Sequence, residues 1–166
     1  MYKHILEMAQ PKRPFSRELY NKHNALGIKV ALEMLTQNGF NTIEGGDVEH
    51  FTARDCLVGK DEKKVAIEVE RKVVWRRRDN WEGYPTVRVP YRKRHSKSDI
   101  YIMINEPSTC MIICDMHKLK QSPLTKYTTQ AYNIEEDFFA VPIELFDVLV
   151  LEDDKWVLKT NKHKLL

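Results

Sequence analysis

Cysteine is scarce in this chain: Cys56, Cys110 and Cys114 form an odd, sparse set. Such a set does not make a disulfide framework, and it points to a reducing compartment. No run of 18 apolar residues exists, so nothing in the sequence is expected to cross a membrane. The opening "MYKHILEMAQPKRP" lacks the uninterrupted apolar core of a signal peptide. The expected location is therefore intracellular and cytoplasmic, the host cytoplasm if the source is viral. No glycine-rich phosphate loop or dinucleotide fingerprint is present, and the six histidines form no recognisable pair. Repeats and low-complexity linkers are missing as well. With 166 residues, the chain reads as one domain spanning 1–166, long enough to bury roughly 70% of its unfolded surface.

What is present is an uneven distribution of charge. The window 71–97 holds ten lysines and arginines against Asp79 and Glu82, a balance of +8. The whole chain is +3, so the remainder is −5. A polyanion is the partner such asymmetry suggests, and a solvated basic loop is the plain alternative. Aromatic residues are interleaved with the basic ones in "VVWRRRDNWEGYPTVRVPYRKRH". Pro85 and Pro90 argue against a continuous helix there.

Hydrophobic periodicity organises the rest. Ile28, Ala31, Leu32 and Leu35 recur at helical spacing within 24–40, and Asn38-Gly39 supplies a stop. The stretch 50–58 reads as a strand, with 59–62 as a hairpin connection into the next. "DIYIMIN" and "TCMIICD" are nearly continuous apolar runs, which suits strands covered on both faces. The segment 116–132 holds a short helix or loop cut by Pro123. From 137 onward the chain reads as a strand, a short helix and a final hairpin around Asp153-Asp154. This order predicts an α/β domain with a central mixed β-sheet flanked by helices.

The informative strand is "KKVAIEVERK", Lys63 to Lys72. Val65, Ile67 and Val69 form one face, and Ala66, Glu68, Glu70 and Lys72 the other. Asp55, on the preceding strand, is expected to share that second face across the hairpin. An exposed face with charges solvated by water is the structural explanation. Carboxylates gathered beside apolar strands are also how a protein binds a hard cation such as Mg²⁺ through oxygen.

Asp55 with Glu70-Arg71-Lys72 resembles the motif of the PD-(D/E)XK nuclease superfamily: an acid on one strand, then an acid, any residue and a lysine on the next. "RDCLVGKDEKKVAIEVERK", preceded by a helix ending in "NGFN", is similar to the core of archaeal Holliday-junction resolvases over about 25–72. The basic "VRVPYRKRH" and the strands after it resemble phage-encoded members. The chain has four matches to acid-any-lysine, and only Glu70 to Lys72 terminates an apolar strand whose hairpin partner carries an acid. Asp55 follows Arg54 where the motif has proline. A further glutamate on the first helix of resolvases has Ile28 or Val30 at its place, unless Glu33 or Glu18 serves.

The resemblance implies a restriction-endonuclease-like core (helix, three or four strands, helix, strand) and a Mg²⁺-dependent endonuclease acting on DNA, with Mn²⁺ as a substitute. Asp55 and Glu70 would hold the metal, with Glu68 as a further candidate, and Lys72 would position the attacking water. Arg76, Arg77, Arg78, Arg92, Lys93 and Arg94 would hold the phosphate backbone, and Trp75, Trp81 or Tyr84 would wedge or stack. A homodimer is implied by the same resemblance. Two hairpin registers keep every side chain on its face, one setting Asp55 opposite Glu68 and the other opposite Glu70. Glu70 is favoured because it has a lysine two residues on. The rivals are a non-catalytic nucleic-acid-binding module of the same fold and an RNA-processing nuclease.

Overall fold

A computed structural model describes residues 17–45, 55–129, 133–160 and 165–166. Helix α1 (Arg17–Gln37) is followed by β1 (Asn41–Gly45), β2 (Cys56–Lys60), β3 (Lys63–Lys72) and β4 (Thr86–Pro90). A 3-10 turn (Tyr91–His95) leads to β5 (Ile100–Asn105), β6 (Cys110–Asp115) and the short helix α2 (Met116–Lys120). The chain ends with β7 (Leu124–Thr129), β8 (Ile134–Pro142), β9 (Asp147–Glu152) and β10 (Lys155–Leu158). Part of the strand expected over 50–58 lies outside the described residues.

Seven strands form one mixed sheet in the order β1-β2-β3-β5-β6-β9-β10. Only β3 and β5 run parallel, and the other neighbours are antiparallel. A parallel pair requires a crossover, and residues 73–99 provide it. That crossover contains β4, which joins β8 and β7 in a second, three-stranded sheet.

The large sheet is covered on both faces by different means. On one face α1 lays Ile28, Ala31 and Leu35 against Ile67, Val69, Ile102 and Ile104. On the other, Val87, Val89, Phe139 and Val141 of the second sheet pack on Tyr101, Met103, Ile112 and Cys114. The protein is thus mixed α/β with little helix. The expectation of a sheet flanked by helices is met in part: α1 covers one face, and on the other only the short α2, through Met116 and Leu119, joins the second sheet. Val87 and Val89 alternate with polar neighbours and are bracketed by Pro85 and Pro90, a pattern that favours strand over helix.

Two of the hairpins are closed by two-residue turns without glycine. Asp61 and Glu62 (φ 50° and 66°) join β2 to β3, and Asp153 and Asp154 (φ 49° and 64°) join β9 to β10. Two positive φ values in a two-residue loop are the arrangement whose twist matches the strands it connects. All three cysteines are buried and free. Burial pushes each thiol up to about 12. Among the described residues no helix is long and apolar enough to cross a membrane.

Candidate functional site

The Asp61-Glu62 turn sets the register that the strand pattern left open. Cys56 pairs with Ile67, and the Asp55 amide donates to the Ile67 carbonyl at 3.0 Å. Asp55 therefore stands opposite Glu68, with Glu70 diagonal to it. The Glu70 register favoured from sequence is not the one formed. The Asp55 carboxylate accepts from the Val69 amide at 2.7 Å, which fixes it at the mouth of the hairpin.

Glu68 and Glu70 share their face with Tyr101 and Met103, their partners on β5. This is the face that the second sheet covers, so the acid row lies beside an apolar layer rather than on open surface. Glu68 is only 8% exposed. Glu70 accepts a hydrogen bond from the Tyr101 hydroxyl at 2.5 Å. Tyr101 is fully buried, and burial first, then Glu70, raise its pKa well above the ordinary value. It stays protonated and holds Glu70 in place.

The lysine at this cluster is Lys93, from the 3-10 turn of the crossover. Its ammonium is ion-paired with Glu68, whose other oxygen accepts from the Ser96 hydroxyl at 3.3 Å. Burial alone would lower the Lys93 pKa, but the carboxylates of Glu68 and Glu70 more than offset it and leave it raised. Lys72 points elsewhere. Its Nζ lies 3.1 Å from Glu82 and 4.9 Å from the centre of the Trp81 ring. The sequence reading gave Lys72 the water and Lys93 a phosphate contact, and the structure puts Lys93 with the acids.

One carboxyl group in this cluster holds its proton more tightly than an ordinary aspartate. The Asp55 pKa is raised to about 6, first by burial and then by repulsion from Glu68. The donor set of Asp55, Glu68 and Glu70 is all oxygen and carries more negative charge than Lys93 neutralises. That is the chemistry a hard divalent cation satisfies. Among the described residues no group of three His, Cys, Asp or Glu is arranged to hold a metal ion as it stands. Glu68 would have to turn from Lys93 to join such a set.

The basic segment after β3 is a built loop. Trp75 and Trp81 are buried edge to face, their centres 5.0 Å apart, and their indole N–H groups donate to the Asn80 and Tyr84 carbonyls. They anchor the loop and are unavailable for the wedging role expected of them. Tyr84 is 57% exposed. Gly83, at φ 91°, turns the chain between Trp81 and Tyr84, and the Arg77 guanidinium lies over it. Asn105, fully buried, fastens the loop to the sheet. Its side-chain nitrogen donates to the Arg77 carbonyl at 2.7 Å, and its oxygen accepts from the Thr109 and Cys110 amides. Nothing in the local sequence marked Asn105; it reads as a strand terminus.

Arg76 and Arg78 are exposed on this loop. Arg77 is also exposed, but its side chain donates to the Trp81 carbonyl at 3.3 Å. Arg92 is ion-paired with Glu136 of β8, and the Arg94 guanidinium lies 4.1 Å from the centre of the Tyr91 ring. Glu18 and Glu33 are exposed on α1, which packs against the opposite face of the sheet from the acid row. Neither fills the first-helix role.

Comparison with protein-family models, with curated proteins and with solved structures finds no match.

Proposed function

We propose that the protein is a divalent-metal-dependent nuclease that hydrolyses phosphodiester bonds in DNA, built on a restriction-endonuclease-like core of α1, β1–β3 and β5. The observation that carries this reading is the row Asp55, Glu68 and Glu70 on one sheet face with the Lys93 ammonium among them. Asp55, Glu68 and Glu70 would hold Mg²⁺, or Mn²⁺ in its place. When bound, such an ion stabilises charge on phosphoryl oxygens and lowers the pKa of a water. Lys93, with its pKa raised, stays protonated, so it would donate to a phosphoryl oxygen or to the attacking water rather than accept a proton. Tyr101 would keep Glu70 oriented. Arg76 and Arg78 would neutralise phosphates flanking the scissile one.

The Lys93–Glu68 ion pair favours a second reading, a nucleic-acid-binding module that does not cut. A cluster already carrying its own cation has less need of a metal. One experiment separates the two. Linear, nicked, four-way and single-stranded DNA are incubated with the protein in Mg²⁺ and in EDTA. Products in Mg²⁺ alone support the nuclease, and retention of DNA without products in either condition supports the module. The homodimer implied by the resemblance is tested in the same preparation by its mass in solution.

A further inference from the structure

Lys72, freed from the acid row, lines a cleft of about 290 Å³ between the 73–85 loop and the second sheet. The size sits at the small end of ligand pockets, which run from roughly 300 to 1,000 Å³. Three cations, Lys72, Arg88 and Lys126, are among the described residues that line it; Lys72 is ion-paired with Glu82 at 3.1 Å and Lys126 with Glu135 at 3.6 Å, both carboxylates lying outside the lining. Aromatic surface is present beside the charge. Tyr84 lines the cleft with most of its side chain exposed. The Arg88 guanidinium of β4 lies over the Tyr127 ring of β7, its central carbon 3.5 Å from the ring centre. Phe138 meets that ring edge-on at 6.1 Å, so the pile of Arg88 on Tyr127 is braced from within the second sheet.

A guanidinium plane and a phenol ring both offer flat faces, and a nucleobase stacks on either. In a duplex those base faces are covered by the neighbouring base pairs, and only an unpaired base presents one. Positive charge alongside serves the phosphate that accompanies it. Lys72 also fixes where the cleft lies relative to the acids. It is two residues beyond Glu70 on the same strand face, about 6.6 Å along the strand.

We propose that this cleft is a nucleotide subsite, in which Tyr84 and the Arg88 guanidinium stack an unpaired base of a DNA strand while Lys126 and Lys72 exchange their pairing with Glu135 and Glu82 for its phosphates. The inference rests on the nuclease reading for its meaning: the substrate is then DNA with an unpaired strand beside the bond to be cut, such as a flap, a splayed arm or a single strand.

The test needs no cleavage. Fluorescence anisotropy in EDTA measures binding of oligo-dT, an abasic oligonucleotide with the same number of phosphates, oligo-rU and a duplex. Oligo-dT is expected to bind roughly 5- to 100-fold more tightly than the abasic strand, the range a stacked base supplies. Tyr84→Ala and Arg88→Lys should each remove most of that difference and leave abasic binding within about twofold, since neither deletes a charge. Equal binding of oligo-dT and the abasic strand overturns the inference. So does a fall in both strands together in the variants, or binding of oligo-rU alone. Base-dependent binding with no Mg²⁺-dependent cleavage keeps the subsite and removes the nuclease. Cleavage with no base-dependent difference does the reverse.

Discussion

The ammonium of Lys93 meets the carboxylate of Glu68 across 25 residues of chain, from the crossover turn to the centre of β3. Lys72, two residues beyond Glu70 on β3, takes no part in that contact. Its charge is given to Glu82 and the Trp81 ring. The two lysines should therefore separate in experiment.

Lys93→Met is expected to lower Mg²⁺-dependent cleavage by roughly 10²-fold or more, the loss seen when one preorganised charge stabiliser is removed. Lys72→Met should leave cleavage of a duplex within a few-fold. Removing Lys93 also leaves Glu68 without its cation, at a stability loss on the order of 2–3 kcal/mol. Millimolar Mg²⁺ should restore part of the melting temperature of this variant. If Lys72→Met is the inactive one, the lysine beside the acids has been misassigned.

Glu68→Gln and Asp55→Asn should both abolish cleavage, because those two residues face each other across the hairpin. Glu70→Gln should retain a measurable fraction with a higher Mg²⁺ requirement. Rates measured against Mg²⁺ concentration decide the order. Survival of Glu68→Gln with loss in Glu70→Gln would mean that the diagonal pair is the working one.

Asp55 gives stability a pH dependence of known sign. Its pKa is about 6 in the folded chain against 3.8 for the unperturbed side chain. The folded protein keeps a proton that the unfolded chain loses between about pH 4 and 6, so this group makes stability fall as pH rises through that window. The effect is at most about 3 kcal/mol. Asp55→Asn should flatten this component in urea melts taken from pH 4 to 7. A wild-type curve that rises across the window by the amount the variant lacks contradicts the burial given to Asp55.

Neutralising Arg76 and Arg78 together should weaken binding to all duplex sequences alike. Each lost phosphate contact lowers the slope of log affinity against log salt by about 0.9. Arg77 is left in place because its side chain braces the loop. An unchanged slope would assign these arginines to solvent.

Asn105→Ala should destabilise the fold by about 2–4 kcal/mol, since it strips partners from two amides and a carbonyl in a buried turn. Proteolysis should then begin in 73–85 before the rest of the chain. Uniform resistance of that segment would mean that Trp75 and Trp81 hold it without help.

Much of the architecture was readable from the residues. The α1 stripe, the β5 and β6 runs and both hairpins lie close to where apolar periodicity and turn residues set them. The acid row was readable too, because alternation assigns faces. Alternation cannot choose between registers two residues apart, and that choice fell to the Asp61-Glu62 turn. Lys93 was hidden for a different reason. In sequence it is one cation in a run of three, and only the crossover turns it inward while Arg92 and Arg94 stay at the surface. The two tryptophans beside arginines looked like a binding surface; their burial depends on the second sheet, which no local pattern announced.

The parallel pairing of β3 with β5 also governs when the site exists. Asp55, Glu68 and Glu70 are close in sequence and can meet as soon as their hairpin closes. Lys93 and Tyr101 cannot join them until residues 73–99 have been laid across the sheet and β5 has docked, a long loop closure of the kind that slows folding. A chain still emerging during synthesis would thus carry an acid hairpin with no lysine, no tyrosine clamp and no cleft. On the proposed nuclease reading, such a chain would have no working site until residues 73–99 are in place.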